Sequence, residues 1–128
     1  MNSLAQTLHR SSLRILTGLL LLAGCKPANR APEPLPAEQI PAVMQRAFAA
    51  AKPEAKQLID QALQSLGSKD YPGAYQALQA VSAAPEVTKA QLLVSARAML
   101  TINELLKSAS ASGDQSASTF IEYQKHNR

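Results

Sequence analysis

Few side chains of the kinds that do covalent or proton-transfer chemistry occur in this sequence. There is a single cysteine, Cys25, and there are two histidines, His9 and His126. His126 lies two residues before the last one, where ordered structure is least expected. The carboxylates Glu54, Asp60, Asp70, Glu86 and Glu104 are spaced as helix caps and solvated faces rather than as a converging pair. Asp60 follows Lys56 by one helical turn, which predicts a surface ion pair. No metal-ligand spacing, glycine-rich phosphate loop or serine nucleophile elbow is present. Catalysis needs positioned groups with tuned pKa values. The sequence therefore predicts no enzymatic activity, no metal and no cofactor, and chemical interest narrows to Cys25.

What precedes Cys25 gives it a context. His9, Arg10 and Arg14 make a basic stretch, and Leu13 with Ile15-Leu16-Thr17-Gly18-Leu19-Leu20-Leu21-Leu22 makes a short apolar run. A membrane-spanning helix needs about 20 apolar residues and a signal-peptide core only about 7–15, so this run reads as an export signal. Leu22-Ala23-Gly24-Cys25 resembles the bacterial lipobox. That resemblance implies cleavage after Gly24, with the small residues admitting the signal peptidase, and a diacylglycerol thioether on Cys25. The thiol is then consumed and is neither nucleophile nor metal ligand. An ordinary secretory signal with a chance cysteine is disfavoured because apolar run, small residues, lone cysteine and following linker coincide. Two or three acyl chains anchor a protein stably where one does not. Residue 26 is Lys rather than Asp, which by resemblance to lipoproteins of two-membrane bacteria implies the outer membrane, facing the periplasm.

With residues 1–24 removed, 104 of the 128 remain, enough for one small domain. Arg10 and Arg14 leave with the signal, so 13 basic residues become 11 against 9 acidic, a balance of +2. The remaining cations are scattered, and a nucleic-acid partner, which requires a concentrated basic face, is excluded. The lone cysteine forbids an intramolecular disulfide. Ala, Leu, Gln and Ser dominate, with two Phe and no Trp. Unbranched side chains lose little rotamer freedom in helices, so the composition points to an all-α fold.

Residues 25–41 carry Pro27, Pro32, Pro34, Pro36 and Pro41. Proline fixes φ and pushes its predecessor toward extended backbone, predicting an unpacked tether, a spacer rather than a PxxP ligand. Its reach would be about 45 Å at about 3.1 Å per residue.

The helical domain is expected over 42–128. Apolar or small residues recur at Met44, Phe48, Ala51, Ala55, Leu58, Ala62 and Leu66, one stripe at helical spacing, widened by Ile59 and Leu63. Pro53 interrupts it, giving a pair over about 42–51 and 53–66 that is either kinked or broken. Gly67 suits the positive-φ position after a helix. Asp70 as N-cap and Pro72 in the first turn open a helix over about 71–83, burying Ala74, Tyr75, Ala77, Leu78 and Val81 and stopped by Pro85. Thr88-Lys89-Ala90-Gln91 is a capping box, flanked by Val87 and Leu92 as a hydrophobic staple. It opens a helix over about 89–111 with Leu92, Ala96, Met99, Leu100, Ile102 and Leu106 on one face and Asn103 at the core edge. Glu104 and Lys107 form a surface pair. Ser108–Ser118 has the composition of a low-complexity linker, yet Gly113-Asp114 reads as a stop followed by an N-cap. Ala117, Phe120, Ile121 and Gln124 then trace a short helix over about 115–125, with a frayed tail as the alternative.

Gly67, Asp70-Tyr71, Ala74 and Pro85 together are similar to the second helix of a tetratricopeptide repeat, which implies a helical hairpin with a close-approach alanine at Ala74. No second copy follows at a 34-residue period. The chain also resembles small lipoproteins of the verrucomicrobial kind through Ala47-Phe48-Ala49-Ala50-Ala51-Lys52-Pro53, Lys69-Asp70-Tyr71, Leu78-Gln79-Ala80-Val81-Ser82, Asn103-Glu104-Leu105-Leu106 and Gly113-Asp114. That resemblance implies four helices and an envelope location, and no activity. The expected architecture is thus a small antiparallel bundle of about four helices, a repeat-like hairpin plus flanking helices, behind a cleaved signal and a tether. The expected role is a membrane-anchored interaction domain for an envelope protein or peptide, with Tyr71, Tyr75 and Gln79 as its face. The alternative is an abundant structural component whose Ala-rich helices self-associate.

Overall fold

The computed structural model describes residues 30–128. The export signal, the motif Leu22, Ala23, Gly24, Cys25 and the first part of the tether lie outside the described residues. From Ala31 onward the chain forms one compact unit. It is all-helical, with five α-helices: α1 (Ile40–Ala47), α2 (Pro53–Gly67), α3 (Tyr71–Ala83), α4 (Lys89–Ala111) and α5 (Gln115–His126). A short 3-10 turn, Ala37–Gln39, leads into α1. Packing runs α2 on α3, α3 on α4 and α4 on α5, with α1 and the 3-10 turn also laid on α4.

Pro53 breaks the first helical segment rather than bending it. The residue before a proline is driven out of the helical region, and Lys52 accordingly sits at φ −64°, ψ 155°. Proline is tolerated in the opening turn of a helix, so α2 restarts there. Phe48 closes α1 early, and Ala49–Ala51, expected to be helical, form the turn. The apolar stripe survives the break: Met44, Phe48, Ala55, Ile59 and Ala62 are all buried.

The α2–α3 and α4–α5 turns are built in the same way. In each, an amide reaches back five residues, Asp70 N–H to Ser65 O at 2.8 Å and Asp114 N–H to Ala109 O at 3.0 Å. Each is accompanied by a three-residue bond, Lys69 N–H to Leu66 O and Gly113 N–H to Ser110 O, which is the Schellman pattern. The same Asp then caps the next helix: Asp70 accepts from Gly73 N–H and Asp114 from Ala117 N–H, both at 3.0 Å. The positive φ that this motif requires falls on Gly113 (95°) in one turn but on Lys69 (62°) in the other. Gly67, expected to take that role, ends α2 as a helical residue. At Gly73 a Cβ would lie 2.1 Å from Asp70 Oδ2, so a side chain there would displace the capping carboxylate.

The capping box forms as read. Gln91 N–H donates to Thr88 Oγ1 at 3.2 Å, and Thr88 N–H donates to Gln91 Oε1 at 2.9 Å. Gln91 Nε2 also donates to Ala47 O at 3.1 Å, so one amide closes the end of α1 and the start of α4 together. Along α4 the buried stripe is Ser95, Ala98, Ile102 and Leu106. Leu100, expected in the core, lies outside that stripe and is 37% exposed. The Glu104–Lys107 pair forms at 2.8 Å. The expected Lys56–Asp60 pair does not form, and Lys52 pairs with Glu86 instead. The serine-rich stretch is helical on both sides of the turn, with Ser110 Oγ and Ser118 Oγ bonded at 2.8 Å. The C-terminal segment is therefore a packed helix and not a frayed tail.

The proline-rich segment, expected to be unpacked to residue 41, joins the domain well before that. Leu35 is 4% exposed and Ile40 is buried. Leu35 N–H donates to Arg97 O at 3.3 Å, Arg97 Nε donates to Glu33 O at 2.8 Å, and the Thr101 hydroxyl donates to Leu35 O. An extended proline-rich strand forms no hydrogen bonds within itself, so its carbonyls are open to donors on α4.

Two outcomes follow for stability. Leu35→Ala should cost about 2–4 kcal/mol in urea denaturation of the chain from Cys25 onward, whereas an unchanged midpoint would return residues 33–36 to the tether. Lys69→Gly should raise stability by about 1 kcal/mol by relieving a left-handed non-glycine residue, and a loss in the same assay would contradict the turn described.

Candidate interaction face

The three residues singled out on α3 share one stripe, since they follow one another at steps of four along the helix. The structure does not bring them to one place. Tyr71 is half-buried against the core and edges a shallow hollow with Leu105, Ala109 and Asp114, where α4 ends. Tyr75 and Gln79 instead line a cleft between α3 and α5, about 320 Å³ in volume. A second hollow of about 530 Å³ adjoins it and shares Gln76, Phe120 and Tyr123.

The cleft exists because α5 packs against both α3 and α4. Twelve residues is too short for a helix to hold by itself. Asp114 caps its first turn, and Ala117 and Phe120 bury its inner face. Phe120 meets Tyr75 edge-on, with ring centroids 5.6 Å apart and planes at 65°. Such a pair contributes about 0.5–1.5 kcal/mol beyond area burial. On its other side Phe120 lies 6.5 Å from Tyr123 at 26°. Tyr123 is 62% exposed, more than any other large apolar or aromatic side chain of the described residues.

Sequence reasoning passed over Tyr123. Its signal was its place three residues after Phe120, which puts both rings on one side of α5. Gln124 and Asn127 complete the α5 wall, and Asn127 Nδ2 also donates to Tyr123 O at 2.9 Å. On the outer surface of α5, Lys125 holds the Glu122 carboxyl below the usual carboxylate range, first by their hydrogen bond and then by charge.

The lining is mostly uncharged, with Arg128 as its one cation. Gln76, Gln79, Gln124 and Asn127 each offer amide donors and an acceptor, and Tyr75, Phe120 and Tyr123 offer ring faces and edges. No Asp or Glu side chain lines either hollow. These groups hydrogen-bond and stack. Among the described residues no cluster of three His, Cys, Asp or Glu side chains could hold a metal ion, and no helix is long and apolar enough to cross a membrane.

No family model, curated protein or solved structure matches the chain.

The wall of the cleft and its contents should separate by mutation. Phe120→Ala is expected to cost about 3–4 kcal/mol and to open the amides of residues 115–126 to hydrogen exchange first. Tyr123→Ala should shift stability by less than about 0.5 kcal/mol, and equal effects from the two changes would mean that Tyr123 is part of the core.

Proposed function

We propose that this chain is a bacterial envelope lipoprotein that captures a protein or peptide partner between α3 and α5 and has no catalytic activity of its own. The anchor rests on the sequence: Leu22-Ala23-Gly24-Cys25 after a short apolar run, with the lipid on Cys25 and Lys26 assigning the protein to the outer membrane, periplasmic side. The single observation behind the binding role is the α3/α5 cleft, where an exposed aromatic, Tyr123, stands among four side-chain amides. Tyrosine gives large contact area at low conformational cost and is enriched at binding hot spots. Amides match the donors and acceptors of a peptide backbone and require no charge from the partner. Tyr123 takes the place on this face expected of Tyr71, beside Tyr75 and Gln79.

The test is a photo-crosslinking residue at Gln79 in living cells, in the wild-type background and with Tyr123→Ala or Cys25→Ser. A single heterologous adduct is expected. Its yield should fall about fivefold with Tyr123→Ala, equivalent to about 1 kcal/mol. Cys25→Ser should abolish incorporation of labelled fatty acid and release the protein from the membrane fraction. Self-adducts alone, or none, would sink the cleft as a partner site and move the weight to a self-associating structural role. Fatty-acid labelling that persists in Cys25→Ser would sink the anchor.

A further inference from the structure

Two leucines on α4 are left in solvent: Leu93, 53% exposed, and Leu100, 37% exposed. They are seven residues apart, two helical turns, and so lie on one face. Arg97 stands between them, four residues after the first and three before the second. It is at Arg97 that the N-terminal segment meets the domain, through Arg97 Nε to Glu33 O at 2.8 Å and Leu35 N–H to Arg97 O at 3.3 Å. The chain thus leaves the domain within one turn of each exposed leucine.

The distance from there to the anchor is short. Seven residues, Lys26 to Pro32, separate Cys25 from Glu33. Fully extended, that stretch reaches about 25 Å, against the roughly 45 Å expected of a tether free to residue 41. α4 itself has 23 residues and is about 35 Å long. Chain length therefore holds Cys25 within about 25 Å of Glu33, less than the length of α4. Charge is favourable as well. Lys89 lies one turn before Leu93, Lys26 and Arg30 precede the docked strand in sequence, and Glu104 beyond Leu100 is neutralised by Lys107. Glu33 and Glu38 on the docked segment are the acidic groups that these cations outnumber.

We propose that this face of α4 rests on the membrane: Leu93 and Leu100 enter the headgroup layer while Arg30, Lys89 and Arg97 meet anionic lipid. The inference depends on the lipid anchor proposed above. Apolar side chains flanked by cations are what an anionic bilayer surface binds. The docked strand converts a loose tether into one that presents a chosen face.

The experiment uses the full chain made and processed in cells, its acylation verified by intact mass. Cys25 is blocked as a thioether, so a thiol introduced by Leu93→Cys, Leu100→Cys or Gln79→Cys takes an environment-sensitive fluorophore alone. Each protein is placed in vesicles of phosphatidylcholine and phosphatidylglycerol, with and without brominated acyl chains. Emission from positions 93 and 100 should shift to the blue and fall about twofold with the brominated lipid, and more weakly without phosphatidylglycerol, while position 79 stays unaffected. A blue shift that the brominated lipid does not quench would mean that a second copy or another protein covers the face, and would overturn the proposal. Acylated protein with no shift at 93 or 100 overturns it while leaving the anchor intact. A chain whose mass shows no acyl group removes both.

Discussion

The domain depends on the burial of one narrow stripe on α4, made by Ser95, Ala98, Ile102 and Leu106. The 3-10 turn, α1, α3 and α5 all pack on α4, and α2 joins the domain by packing on α3 and α1. Each partner is also tied to α4 by a polar contact or a short turn. Arg97 and Thr101 bind the segment around Leu35, Gln91 closes α1, and Ser110 meets Ser118 of α5. Only that stripe of α4 is fully buried, and Leu93 and Leu100 are the large apolar side chains that the packing leaves exposed on the helix.

What the sequence made legible was local. The capping box at Thr88–Gln91, the N-caps Asp70 and Asp114, and three helix spans were readable because a cap works through side chains three residues from the amides they serve. The all-helical class followed from the same kind of evidence, composition and stripes of period 3.6. Errors arose where one residue type had two uses. Gly67 could have taken the positive φ, yet the turn that delivers Asp70 to its cap needed the left-handed residue two places on, at Lys69. Leu100 fitted a broad apolar face, but α4 is packed through a narrower one.

The contacts that shape the candidate sites were of the other kind, long in sequence and without local signal. Nothing in Glu33-Pro34-Leu35 announces Arg97 or Thr101, which lie more than sixty residues on, as the pair separations of 64 and 66 show. Nor does Tyr75 announce Phe120. Proline content described the backbone of the N-terminal segment, and it omitted the leucine among the prolines. The cleft likewise required knowing that α5 folds back, a question that Gly113-Asp114 posed but that only the packing of Phe120 answers.

Why a leucine outside the expected domain is drawn in can be argued from the core itself. Six of the sixteen buried apolar residues are alanines: Ala55, Ala62, Ala74, Ala77, Ala98 and Ala117. Alanine lets helices approach closely, but each missing methylene forgoes about 0.8 kcal/mol of burial. A small domain already buries a low fraction of its surface. Such a core leaves the larger side chains, Leu35, Ile40, Met44, Phe48, Ile59, Leu78, Val81, Ile102, Leu106 and Phe120, with most of the hydrophobic stabilisation. Three of these lie before residue 45, in or next to the segment that composition marks as a linker. A boundary drawn at residue 42 would remove Leu35 and Ile40 and leave Arg97 and Thr101 without the carbonyls they bind. The proline-rich strand is thus part of the fold because an alanine-rich bundle needs what it carries. Its prolines, already confined in φ, lose little further freedom when α4 holds them.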